Sequence, residues 1–241
     1  MAFEPFMQLL RGFGARRDGD AGAGKIQNPQ QLAYLRNLQR EISKYDPMNI
    51  PLGELPFLLF DIETTGFHPE KGDGILSIGA VKMKGSEILP EEFYSLIRFE
   101  REVPPEIVKL TNITSEEVGK ARPFSDVYTE FLEFKSDSTL VAHHSHHERA
   151  FMEYTSSRLL RTPFKHRIVD TSFLFKVVEP GLQLVALEDL CTHHGIEVKD
   201  RHHALGDARM TAMLWSLYLE EALKQGHETL SDIYRKFSQM K

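Results

Sequence analysis

The pattern of apolar and polar positions changes texture at about residue 54. Just beyond it, Phe57-Leu58-Leu59-Phe60 carries no polar position, the pattern of a strand buried on both faces. Ile75 to Met83 predicts a second strand, Lys84-Gly85 a turn and Glu92 to Phe99 a third strand, a meander of three neighbours. Pro104 to Leu110 starts a short helix, Thr114-Ser115-Glu116-Glu117 has the spacing of a capping box, and a helix follows Pro123. Thr139 to Ala142 reads as a short buried strand, then comes an amphipathic helix from about Glu148 to Leu160, and Ile168-Val169-Asp170 is a fifth strand. Leu184, Leu187 and Leu190 mark a helix ended by Gly195. Ala204 to Lys224 is the longest helix, ended by Gly226, and a short helix follows from Thr229. Strands in a meander, then strands alternating with helices, predict an α/β layer with a mixed sheet.

Ahead of residue 54, Phe6, Leu9, Leu10 and Phe13 fall at helical spacing, Gly14 to Gly24 is rich in Gly, Ala and charge, and Pro29 to Tyr45 returns to a helical pattern through Leu32, Leu35 and Leu38. The predicted division is a helical N-terminal extension over 1–54, a main domain over 55–224 and a C-terminal helix over 225–241. The extension reads as a helix packed on the main domain, with docking of a protein partner as its competing role. At 241 residues and 41% hydrophobic composition the chain can bury a sizeable core. A net charge of -6 argues against a broadly basic coat, so a polyanion would be met locally, by a few Lys/Arg or by bound metal. One cysteine, Cys191, excludes an intramolecular disulfide and suits a reducing compartment; it sits in a Leu-rich helix and reads as buried and inert. With no basic, apolar leader and no apolar run near the ~20 residues of a spanning helix, the expectation is a cytoplasmic protein with no membrane partner.

The chemistry gathers at the end of the first strand. Asp61 and Glu63 lie two residues apart, so a period of two sets both carboxylates on one face, and Thr64-Thr65-Gly66 then breaks the strand. Two anions aimed at one point are costly in a core unless cations sit between them. Further on, Glu148 opens a helix directly after a short strand, and His202 lies five residues before Asp207 at the start of the longest helix. His143, His144, His146 and His147 could be read as zinc ligands, but consecutive histidines on a tight turn do not readily converge on one ion and no cysteine assists them. Arg149, Lys165, Arg167, Arg201 and Arg209 are candidate phosphate contacts.

In this order the motifs resemble those of the DEDDh exonucleases, the ribonuclease-H-like family that includes the proofreading epsilon subunit of bacterial DNA polymerase III. The resemblance covers about Leu55 to Glu221 and rests on D-I-E-T-T-G-F at 61–67, V-P-P-E-I-V-K-L-T-N-I-T at 103–114, V-D-T-S-F-L-F at 169–175 and H-H-A-L-G-D-A at 202–208. It implies a ribonuclease-H-like mixed five-stranded sheet flanked by helices. It also implies a metal-dependent 3′–5′ exonuclease that hydrolyses phosphodiester bonds at the 3′ end of single-stranded or frayed DNA and releases nucleoside 5′-monophosphates. By the same resemblance Asp61, Glu63, Glu148 and Asp207 hold two Mg²⁺ or Mn²⁺ ions, and hard carboxylate oxygens suit both. His202 is the general base, the H-x-A-L-x-D-A register selecting it over His203. Thr64, Thr65 and Phe67 line the pocket of the terminal nucleotide, with plain core packing the alternative for Phe67. Asp170 matches an aspartate that is structural in the family.

One stretch departs from the pattern. Where the family's second motif reads H-N-A-x-F-D, this chain has His143-His144-Ser145-His146-His147-Glu148, so that Asn, Phe and Asp become His144, His147 and Glu148. Glu148 keeps the charge and the ligand oxygens one methylene further out, as against being only an acidic first-turn residue favoured by the helix dipole. Two rival functions follow: RNA trimming by the same chemistry, and a nucleic-acid-binding module that has lost turnover.

Overall fold

The computed structural model describes residues 29–42 and 46–240. The helix expected around Phe6 to Phe13, the stretch Gly14 to Gly24 and the end of the Pro29–Tyr45 pattern lie outside the described residues. Helix α1 spans Pro29–Ile42, β1 Pro56–Thr64, β2 Ile75–Lys84 and β3 Glu87–Leu96. Three short helices follow, α2 Pro105–Thr111, α3 Ser115–Lys120 and α4 Phe124–Lys135, then β4 Thr139–Ala142 and α5 His146–Thr155. The chain closes with β5 Ile168–Asp170, α6 Thr171–Val178, α7 Leu187–His193, α8 Ala204–Lys224 and α9 Leu230–Gln239.

The five strands form one mixed sheet in the order β3-β2-β1-β4-β5. β1 and β2, and β2 and β3, run antiparallel, whereas β1, β4 and β5 run parallel. The central strand is buried on both sides, as its unbroken apolar entry requires. Phe57 and Leu59 face a cluster that includes Trp215 and Tyr218 of α8, and Leu58 and Phe60 face a second cluster with Phe131 of α4 and Phe151 of α5. Trp215 meets Phe57 edge-on at 5.5 Å, tying the longest helix to the central strand. The sheet is thus the middle of three layers, and the ends of α5 and α8 both open at the end of β1.

Most expected elements are present, with four differences. β3 begins at Glu87, five residues earlier than its apolar residues indicate, because the two-residue turn Gly85-Ser86 lets Lys84 pair with Glu87 at once. Gly85 takes a φ of 55° there, a conformation glycine enters freely. Pro90 is tolerated because β3 is an edge strand whose register shifts between Val81 and Met83. The helix expected from Glu148 starts at His146, and after Thr155 it widens into a π turn, Ser156–Leu160. α6 is short and rich in aromatic and β-branched residues, which gives a weak helical signal; its N-terminus is set by Asp170, whose side chain accepts the Ser172 amide hydrogen at 2.8 Å. Leu184 lies ahead of α7, exposed in the connecting segment.

The flanking segments complete the core on opposite faces of the sheet. In α1, Leu35 is buried against the α4 side of the sheet and the Tyr34 hydroxyl donates to Glu133 at 2.7 Å, the packed role expected for this helix. In α9, Leu230 and Ile233 enter the Trp215 cluster, and the Leu52 amide donates to the Glu228 carbonyl at 2.7 Å, so the C-terminal helix closes over the segment that leads into β1.

Gly79 fixes the distance between sheet and helix. It pairs with Asp61, and a Cβ here would overlap the Leu205 amide nitrogen and the Ala204 carbonyl carbon. The start of α8 therefore rests on bare β2 backbone. Gly79→Ala should push it away, lowering stability in urea unfolding by about 1–3 kcal/mol; an unchanged midpoint would mean that the helix yields without cost.

Candidate active site

Strand alternation delivers Asp61 and Glu63 to the α8 face at the end of β1, beside a register shift between Glu63 and Thr64. Because α8 sits directly on Gly79, its first turn carries Asp207 to the same place. Single carboxylate oxygens of Asp61, Glu63 and Asp207 lie within 4.8 Å of one another. Glu148 arrives from the first turn of α5, which packs on the opposite face; its charge acts on Asp61, and the charge of Glu63 acts on it. Glu63, Glu148 and Asp207 are all buried.

The electrostatics follow from that crowding. Burial, then the charges of Glu148, Glu63 and Asp207, push Asp61 well above the usual aspartate range. Burial followed by Asp207 raises Glu63 to about 7. Burial also dominates at Glu148, raised to about 8, with Asp170 and Glu63 adding like charge against the pull of a backbone hydrogen bond. Asp207 is raised to about 6, burial outweighing the nearby Arg201 guanidinium. Arg201 binds Asp207 Oδ2 through Nη1 and Glu188 Oε2 through Nε at 3.0 Å. It was expected among the outward phosphate contacts, but it is drawn inward by the acids. Arg149, Arg167 and Arg209 are also engaged, Arg209 by a two-pronged pair to Glu92 at 2.7 and 2.6 Å. Among the described residues, Glu148 Oε2 and Asp207 Oδ1 are buried without a hydrogen-bond partner. Two orphaned anionic oxygens beside two further carboxylates form an all-oxygen donor set that fits hard divalent cations.

The altered second motif has a local explanation. His144 adopts a φ of 55°, a left-handed conformation that Asn and His both enter more readily than most residues. Exchange of Asn for His thus keeps the turn. The turn is held by Asp170, whose Oδ2 accepts the Ser145 amide hydrogen at 2.7 Å, and by His143, which reaches Thr171 Oγ1 at 2.9 Å and the Val185 carbonyl at 2.8 Å. His144 shares that carbonyl at 2.8 Å, whereas His147 turns the other way and lies 3.2 Å from Thr64 Oγ1. The four histidines do not converge on one point.

Phe67 is 80% exposed, which removes core packing as its role. Its ring meets His147 edge-on at 5.6 Å, and His147 lies tilted against Phe151 at 4.8 Å, so His147 keeps an aromatic ring where the family has Phe. The Thr64 hydroxyl donates to the Gly66 carbonyl at 2.8 Å. Thr65 is committed to its own loop, its hydroxyl accepting the Gly74 amide hydrogen at 3.0 Å. His202 occupies the turn before α8 with a φ of 62°, and burial, then Arg201, lower its pKa. His203 is stacked on Tyr94 at 4.4 Å and takes the N-cap position of α8. Glu188 is the participant that the sequence did not single out, and Arg201, a candidate phosphate contact by sequence, is paired with the acids instead; the signal available was the cation directly before His202.

A mixed sheet in this order, with acidic residues from β1, α5 and α8 meeting at one end, defines a nuclease of the ribonuclease-H-like type. Residues 58–215 match the exonuclease family RNase_T, and the chain belongs to that family. It is 32% identical over 174 residues to the DNA polymerase III epsilon subunit of Treponema pallidum, covering 71% of this chain and 80% of that protein. The DNA polymerase III PolC-type protein of Thermotoga maritima is 32% identical over 181 residues, 75% of this chain and 13% of that much longer protein. Among solved structures, the nuclease domain of 3′hExo, a DEDDh family member bound to rAMP, superposes with a TM-score of 0.62 at 18% identity, covering 72% of this chain and 94% of that one. Exonuclease X in complex with 5′ overhanging duplex DNA gives 0.55 at 22% identity, covering 73% and 98%. These two share the fold.

The carboxyl pKa values set an expected pH dependence. An acid raised in the fold binds more protons folded than unfolded, so its contribution to stability falls as pH rises from its unfolded value through its folded value. For Glu63 and Glu148 that fall ends at about 7 and about 8. The buried His143, lowered to about 4, acts in the opposite sense but only below about 6.5. In chelator, the thermal midpoint should therefore drop between about pH 6.5 and 8.5, and Mn²⁺ should raise it more at the upper end. A midpoint that is flat with pH and indifferent to Mn²⁺ would contradict the shared anionic site.

Proposed function

We propose that the protein hydrolyses the terminal phosphodiester at the 3′ end of single-stranded or frayed DNA, releasing nucleoside 5′-monophosphates, with residues 55–224 as the exonuclease unit, 1–54 as an extension and 225–241 as a closing helix. The observation that carries this reading is the convergence of Asp61, Glu63 and Asp207 within 4.8 Å beside Glu148. Two divalent cations, Mg²⁺ or Mn²⁺, held by these four residues would supply charge neutralisation at the scissile phosphate and a more acidic water. Burial of the carboxylates fixes their direction, and Arg201, held by Glu188, steadies Asp207 from the side away from its free Oδ1.

His202 accepts the proton of the attacking water. Its lowered pKa keeps the imidazole neutral and able to accept near neutral pH, and the left-handed turn sets it apart from His203, whose ring is occupied by Tyr94. Phe67, exposed at the pocket mouth and braced by His147, offers a face for the terminal base, and the Thr64 to Gly66 backbone holds the sugar. DNA is favoured over RNA because relatives near a third identical are DNA polymerase III proteins.

The test is cleavage of 3′-end-matched DNA and RNA oligonucleotides with Mg²⁺, Mn²⁺ or chelator. Asp207→Ala and His202→Ala should each slow stepwise 3′ shortening by about 10²–10⁴-fold, while Glu148→Asp keeps or raises the rate. Full activity in Asp207→Ala would refute the site. Faster RNA cleavage would reassign the substrate, and oligonucleotide binding without turnover would leave only a binding module.

A further inference from the structure

A second group of metal-ligating side chains lies outside the carboxylate cluster. Glu179 follows α6 as its C-cap, and His193 and His194 close α7. One ligand atom from each falls within 4.8 Å of the other two. His193 Nε2 is 3.3 Å from Glu179 Oε1, and His194 Nε2 is 3.9 Å from Glu179 Oε2. Around a tetrahedral Zn²⁺ with bonds of about 2.0–2.1 Å, neighbouring ligand atoms stand about 3.3 Å apart, so this spacing is close to that of ligands sharing one ion. We propose that Glu179, His193 and His194 form a second cation site, for a borderline-soft divalent ion of the Zn²⁺ type, with its remaining positions open to water.

Three features of the surroundings agree. The Tyr218 hydroxyl donates to Glu179 Oε2 at 3.0 Å, the kind of outer partner that orients a ligating carboxylate, and without the ion it accepts from His194 Nε2 at 2.9 Å, a bond that ligation through Nε2 would replace. Tyr218 is itself locked by stacking on Phe175 at 4.1 Å. Both helices direct their C-terminal, electronegative ends at the group, which favours a cation there. His194 is the less exposed of the two imidazoles, at 25% against 43% for His193, which limits the positions its ring can take beside Glu179. Two imidazoles and one carboxylate differ in kind from the all-oxygen cluster, so the two sites would sort cations by softness.

The site would also clip the segment between α6 and α7. That segment contains Val185, whose carbonyl is the shared partner of His143 and His144 in the second motif. An ion joining the two helix ends closes this loop and steadies the carbonyl that the motif leans on.

Calorimetric titration of the untagged full chain with Zn²⁺, in excess Mg²⁺ to occupy the oxygen cluster, tests this. Wild type should bind one Zn²⁺ with a raised thermal midpoint. His193→Gln, at a half-exposed position whose loss leaves the core intact, and Glu179→Gln should each weaken binding by about tenfold or more. Asp207→Ala should retain the Zn²⁺. Zn²⁺ affinity unchanged in both His193→Gln and Glu179→Gln, or abolished by Asp207→Ala, would overturn the proposal. Because the readout is binding, failure here leaves the exonuclease reading untouched.

Discussion

Four carboxylates crowd the end of one buried strand, and most of the surrounding architecture maintains that unfavourable arrangement. Left to themselves, Asp61, Glu63, Glu148 and Asp207 would repel one another, and each is displaced upward in pKa by burial and like charge. A dense core offsets the cost: Phe57 and Leu59 bind β1 to α8, Leu58 and Phe60 bind it to α4 and α5, and a bare glycine lets α8 approach backbone to backbone. Arg201 supplies one internal cation. The two orphaned oxygens, Glu148 Oε2 and Asp207 Oδ1, mark charge that the protein alone does not satisfy.

Much of this arrangement was legible because it follows simple periodicity. The apolar run 57–60 announced a doubly buried strand, and period two placed Asp61 and Glu63 together. Ala204 to Lys224 was bounded correctly because a turn precedes it and Gly226, at a φ of 84°, follows its end. Other features depend on partners distant in sequence. The early start of β3 depends on hairpin pairing from a two-residue turn, and its polar residues give no apolar signal. The exposure of Phe67 could not be separated from core packing by residue type. Likewise, Arg201 is indistinguishable from a surface cation until the fold places Asp207 and Glu188 beside it.

The departures in the second motif become intelligible through backbone conformation. A left-handed residue at 144 explains why His can replace Asn, and the ring at 147 keeps contact with Phe67 and Phe151 while adding a nitrogen that faces Thr64. Glu148 is the longer acid, yet it is buried and electrostatically joined to Asp61 and Glu63, which is the behaviour of a member of the cluster rather than of a solvated first-turn residue. The substitutions preserve conformation, aromatic contact and charge, respectively. Meanwhile the soft donor group at Glu179, His193 and His194 sits at helix C-termini, where the field favours a cation, apart from the hard oxygens at the helix starts.

Exchange of protons for a bound cation would relieve the crowded acids at the end of β1. It is tested most directly by counting protons released when Mn²⁺ binds, using calorimetry at about pH 7 in buffers of different ionisation enthalpy. Carboxyls raised to about 7 and about 8 predict a net release of protons, reduced in Glu148→Gln. Tight Mn²⁺ binding with no proton release, identical in wild type and Glu148→Gln, would contradict the account.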